Sequence, residues 1–121
     1  MTINEWNAIP KDKATNTQAR EGDLCTMIDG VAFMVQRTND FNNVICIRTK
    51  PATQSLLKTF SMFRSWCEEN KLQYIRVEGI GKHSYKMLFL VLRLAPKTAD
   101  VVKAIDESIE FNRHIFYVKT Y

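Results

Sequence analysis

The stretch Asn43–Asn70 constrains this chain more than any other, because it reads as a short apolar strand, a tight polar loop and a long amphipathic helix in direct succession. Val44-Ile45-Cys46-Ile47 has the β-branched density of a buried strand. The loop is Arg48-Thr49-Lys50-Pro51-Ala52-Thr53. Pro51 disfavours helix before it and favours a helix start after it, and Thr53 is a suitable N-cap. Leu56, Leu57, Phe60, Phe63 and Cys67 then recur at helical spacing, with Trp66 beside them, while Lys58, Arg64, Glu68 and Glu69 face the other way. The helix ends at Asn70 or Lys71, and Tyr74–Glu78 begins the next strand, parallel to the one before the helix. A strand feeding a helix whose first amides open into a loop is a natural anion pocket.

Upstream of this unit, Leu24–Ile28 and Val31–Gln36 flank Asp29-Gly30. Asp-Gly between two apolar runs is a strong hairpin signal, since both turn residues need positive φ. Thr38–Asn43 reads as a second turn, so Val44–Ile47 becomes the third strand of an antiparallel meander. Met1–Gly22 is a polar N-terminal arm with room for one short helix, anchored by Trp6 and Ile9.

Downstream, Gly79–Ser84 reads as a loop. Tyr85–Leu94 fits either a helix or an alternating strand; its Leu and Met content favours helix. Thr98 caps a further expected helix, with Val102, Ile105 and Ile109 as its buried stripe, and His114–Tyr121 alternates as a terminal strand. The expected order is β-β-β-α-β-α-α-β. It describes an α+β domain over 23–121, with one mixed sheet, an antiparallel N-terminal meander, a βα crossover and helices packed on the sheet.

With 121 residues the chain has enough length for one core. Its net charge of +4, with no run of Lys or Arg, permits an acidic ligand or a nucleic-acid surface and demands neither. Cys25, Cys46 and Cys67 are odd in number and widely spaced, which argues for buried free thiols in a reducing compartment and against a disulfide scaffold or zinc site. Residues 1–20 are polar and show no signal-peptide pattern, and the longest apolar run, Met87–Leu92, is too short to span a membrane.

The order of elements over Cys25–Leu88 resembles the GNAT fold, the Gcn5-related N-acetyltransferases. The family's acetyl-CoA loop reads Arg/Gln-x-x-Gly-x-Gly/Ala and is followed closely by a Leu-Leu pair. Arg48-Thr49-Lys50-Pro51-Ala52-Thr53 stands at that place, with Leu56-Leu57 after it. The resemblance thus implies Arg48, Lys50, Ala52 and Thr53 as the cofactor-contacting residues. It also implies Glu78 as the base and Tyr85 as the acid, although Tyr85 is off the family's usual spacing. The spacing of the loop agrees with the family and its glycines do not: Pro51 and Thr53 occupy the two glycine positions. Proline removes a donor and adds a ring, and threonine adds a branched side chain where a pyrophosphate would pass. Each lost charge-assisted hydrogen bond costs about 1.5–3 kcal/mol, or roughly ten- to hundredfold in affinity.

The expectation is therefore a GNAT-like domain that has lost its cofactor and acts as a structural or interaction protein toward a protein partner or a second copy. Eroded folds of this kind suggest a phage-encoded or virion-associated protein, otherwise a cytoplasmic one. Two alternatives stand beside it. One is an active acetyl-CoA-dependent N-acetyltransferase. The other is a nucleic-acid module using Arg76, Arg93, Arg113 and Lys119 with Tyr74, Tyr117 and Tyr121. Alternating Tyr and Lys would equally guard an edge strand. Gly79-x-Gly81-Lys82-His83-Ser84 lacks phosphate-loop spacing, and His83 and His114 have no partners at metal-ligand or catalytic spacing.

Overall fold

A computed structural model describes residues 1–11, 17–39, 42–80, 101–104 and 113–120, with 77–80, 101–104 and 113–119 described through their backbone. The described elements run α1 (Ile3–Ala8), β1 (Leu24–Ile28), β2 (Val31–Arg37), β3 (Asn42–Arg48), α2 (Leu56–Glu69), β4 (Tyr74–Ile80), β5 (Val101–Ala104) and β6 (Arg113–Lys119). Among the described residues the strands form one mixed six-stranded sheet in the order β1-β2-β3-β4-β6-β5. The fold class is α+β.

The meander forms as its turn chemistry dictates. Asp29 and Gly30 take φ of 46° and 75°, and Ile28 pairs directly with Val31 across them. β2 and β3 then pair antiparallel over their whole lengths, from Val31↔Arg48 to Arg37↔Asn42. Asn42 and Asn43, read as the end of the second turn, thus belong to the strand. β3 and β4 are parallel, as a strand-helix-strand unit of this length requires.

Each face of the sheet has its own cover. Ile28, Val31, Phe33, Val35, Val44 and Ile75 point to α2, where they meet Phe60, Phe63 and Cys67. Phe33 is fully buried, stacked on Phe63 at 4.1 Å between ring centroids and edge-on to Phe60 at 5.7 Å. On the opposite face Trp6 and Ala19 cover Ala32 and Met34, with Cys25, Ile45 and Ile47 at the margin. The polar arm is held there by reciprocal capping of α1, in which Glu5 N donates to Thr2 Oγ1 and Thr2 N donates to Glu5 Oε1, both at 3.0 Å. Trp6 Nε1 donates to Thr17 O, and Asn7 exchanges two bonds with the Ala19 backbone.

Several expectations are corrected. Ser55, not Thr53, caps α2, its side chain accepting from Lys58 N; Thr53 is engaged elsewhere. Arg64, expected on the solvated face, donates from Nε to Thr120 O and so does not sit on a plain solvated face; Thr59 is fully buried on the helix, accepting from Gln54 Nε2. β4 runs on through Gly79 and Ile80, positions read as loop. The helix expected after Thr98 is replaced over Val101–Ala104 by a strand that pairs antiparallel with β6, from Val101↔Val118 to Ala104↔Ile115. Adjacent β-branched valines suit a pleated ladder, and that pairing outweighs helical spacing drawn from Val102 alone. Tyr85–Leu94, Thr98, Ile105 and Ile109 lie outside the described residues.

Truncating Phe33 to alanine removes the ring that both Phe60 and Phe63 pack against. Urea unfolding of Phe33→Ala should show a loss of about 3–5 kcal/mol with an unchanged denaturant slope.

Candidate functional site

The loop after β3 is where the sequence places an anion pocket, and the hairpin turn of β1 and β2 docks onto it. Thr49 N donates to Gly30 O at 2.6 Å and Thr49 Oγ1 to the same oxygen at 2.9 Å. The approach is close: a Cβ on Gly30 would stand 2.9 Å from Lys50 O. Gly30 is therefore required both by its φ of 75° and by the backbone pressed against it.

This docking brings the Asp29 carboxylate to the entry of α2. Thr53 N lies 3.0 Å from both Asp29 carboxylate oxygens, Gln54 N donates to Oδ2 at 3.0 Å, and the Thr53 hydroxyl donates to Oδ1. Two consecutive backbone amides and a hydroxyl thus converge on one carboxylate, as they would on a phosphate. The Thr53 hydroxyl and then the Gln54 amide hold the Asp29 carboxyl below its ordinary value of 3.8, with smaller help from Thr53 N and the charge of Arg48.

The residues that the resemblance implies divide clearly. Arg48 is exposed and donates from Nη1 to Asp29 O at 3.4 Å and Lys50 O at 3.2 Å, so the guanidinium braces the turn and the loop. Lys50 and Ala52 are exposed in the loop, and Thr53 bonds Asp29. Glu78 stands on β4 opposite Ile115. Tyr85 lies outside the described residues, as do Lys82, His83, Arg93 and Tyr121. The β3–β4 ladder consists of Asn42↔Ile75, Asn43↔Arg76 and Val44↔Val77; beyond Val44 and Val77 the two strands have no register partners in one another. Glu78 is the first residue past that ladder. Asp29 is the residue that sequence reasoning missed, since Asp-Gly signals the turn and says nothing of a loop 24 residues away.

A groove of about 320 Å³ lies between β1 and α2, lined by Thr26, Ile28, Met62, Ser65, Trp66 and Glu69. All three cysteines are free. Burial pushes the Cys67 thiol up to about 12 and that of Cys46 to about 11, which makes both poor nucleophiles. Among the described residues no group of three or more His, Cys, Asp or Glu is placed to hold a metal, and no helix is long and apolar enough to cross a membrane. No protein-family model matches the chain, and neither a curated protein nor a solved structure is significantly similar to it.

Two outcomes test this geometry. Gly30→Ala should destabilise the fold by about 1–3 kcal/mol in chemical denaturation, from the left-handed backbone and the contact with Lys50 together. Asp29→Asn keeps a residue that tolerates the turn and removes the charge. Because the folded carboxyl is depressed, its stabilisation is full above 3.8 and is lost as pH falls through the folded value. The difference in Tm between wild type and Asp29→Asn should hold steady from about pH 7 to about pH 5 and close below about pH 4.

Proposed function

We propose that the chain is a GNAT-like domain that acts through molecular contact and does not transfer acetyl groups. The observation that carries this reading is the Asp29 carboxylate on Thr53 N, the Thr53 hydroxyl and Gln54 N. In the GNAT reading, those amides are the donors that would face a pyrophosphate. A ligand anion would have to displace a carboxylate already tethered to the same sheet, and would then meet that carboxylate's charge at short range. Pro51 supplies no amide to offset the loss, and Arg48 is turned to the backbone of Asp29 and Lys50.

The reading as an active acetyltransferase keeps one favourable observation, the end of the β3–β4 ladder at Val44 and Val77 with Glu78 next in line. An acyl-pantetheine chain would need the two strands to open from that point. Such an opening would not replace the diphosphate anchor that the family's loop provides.

Thermal denaturation with acetyl-CoA separates the two. At 1 mM ligand, a site with a Kd of about 10 µM would stabilise the fold by about 2.7 kcal/mol, several degrees in Tm. The wild-type protein should shift by less than about 1 °C, and a rise of several degrees would refute the contact reading.

A further inference from the structure

At the other end of the sheet, the register gathers a different chemistry. β6 lies between β4 and β5, paired on both sides. Tyr74 is opposite Lys119, Arg76 is opposite Tyr117, and Ile80 is opposite Arg113. Directly opposed residues of an antiparallel pair share a face, and so do alternate residues along each strand. Tyr74, Arg76, Tyr117, Lys119 and Arg113 therefore hold positions on one face. It is the face away from α2, because Ile75 packs with the α2 core. Each tyrosine position has a cation directly across, and the two tyrosine positions are diagonal neighbours. Glu78 adds one acid to the same row, against three cations.

Three particulars separate this pattern from an ordinary polar strand. Lys alternating with Tyr protects exposed sheet edges, whereas Tyr117 lies on the Ile115–Val118 stretch of β6, which is flanked by both β4 and β5. Tyr74 is 59% exposed, an unusually large aromatic surface to leave in water. Arg76 is held in place rather than trailing: its Nη1 donates to Asn43 Oδ1 at 2.6 Å, and Asn43 Nδ2 donates to Gln36 Oε1 at 3.1 Å. The polar row thus spans β2, β3 and β4 and leads into β6.

We infer that the β4–β6 face marked by Tyr74, Arg76, Tyr117 and Lys119 binds single-stranded nucleic acid. Aromatics on a sheet accept successive unstacked bases, and flanking cations take the phosphates. Diagonal positions on adjacent strands, about 7–8 Å apart, suit neighbouring bases of an extended strand. The charge fits a polyanion: three cations and one acid lie on this face of a chain with net charge +4. Tyr74 adjoins Ile75, which pairs with Asn42 at the start of β3, whereas the Asp29 contacts lie past Arg48 at its end. The face is thus remote from the loop, and its binding does not depend on whether acetyl-CoA is accepted there.

The test is fluorescence anisotropy of the full chain with labelled 12-mer oligo(dT) and oligo(U), against a duplex of equal length, across a salt series. Micromolar binding to the single strands is expected, at least tenfold tighter than to the duplex. The slope of log K against log salt should be about −2, the value for three phosphates on a single strand. Tyr74→Ala should weaken binding about tenfold with the slope unchanged, and Tyr74→Phe should restore it. Lys119→Gln should reduce the slope by about 0.7. Equal affinity for duplex, no binding at 50 mM salt, or a folded Tyr74→Ala that binds like wild type would each overturn the inference. So would polyglutamate displacing the oligonucleotide as well as unlabelled oligo(dT), which would assign the face to an acidic protein.

Discussion

The carboxylate of Asp29 joins the first hairpin to the start of α2, beside the Thr49 bonds that dock the same turn on the loop. It belongs to a hairpin turn, yet its partners are the Thr53 and Gln54 amides just ahead of the Ser55 cap of α2. A helix start leaves donors without intrahelical partners, and those just ahead of it must find water, a side chain or a ligand. Here the side chain comes from another strand pair. That choice sets where the loop lies, and with it the direction in which α2 leaves β3. Gly30 is the steric counterpart of the same constraint, because only a residue without a side chain lets the turn come within reach of Lys50.

From this join the two faces of the sheet take different fates. α2 crosses the face carrying Val31, Phe33, Val35 and Val44, and the stacked rings of Phe33 and Phe63 fill the centre of that layer. The other face is covered over β2 by a six-residue helix too short to persist alone, held by Trp6, by the capping pair Thr2–Glu5 and by backbone bonds to residues 17–19. Thr120 fastens the far end: its hydroxyl donates to Leu72 O and its amide to Gln73 O, while its carbonyl accepts from Arg64 on α2. Helix, last strand and the connection into β4 are thereby locked at one corner.

What could be read from residue order was what local chemistry decides. Asp29-Gly30 announced its turn because few dipeptides accept two positive φ values. The apolar stripe of α2 and the β-branched core of β3 were visible as periodicity, and Trp6 was visible as the arm's anchor because no other residue there could bury as much surface. Val101–Ala104 was misread because four residues carry too little periodicity to outvote a nearby capping threonine, and its strand exists through pairing with Arg113–Lys119, which no local window contains. Thr53 was misassigned for a related reason. As a cap it competes with Ser55 nearby, and the contest is settled by a carboxylate distant in sequence. The same blindness hid the site: loop and plug are separate features in the sequence and one feature in space.

The two ends of the sheet differ in what they ask of a ligand. At the α2 end, the donors are already satisfied, so an incoming anion gains only the difference between its own hydrogen bonds and those it breaks. At the β4–β6 end, Arg76 is braced by Asn43 and Tyr74 is already in water, so an incoming strand meets a preorganised cation and an exposed ring. Electrostatics alone is modest there: the net charge is +4 and the cations are dispersed, so phosphate attraction falls quickly with salt. Selectivity on such a face must come from the aromatic positions, because a base presents a π-face that a solvated protein carboxylate lacks. Stacking also favours unpaired bases over a duplex, whose π-faces are already occupied by one another. The placement of tyrosine positions directly across from cation positions on β4 and β6 is therefore the feature that distinguishes a nucleic-acid face from a merely basic one.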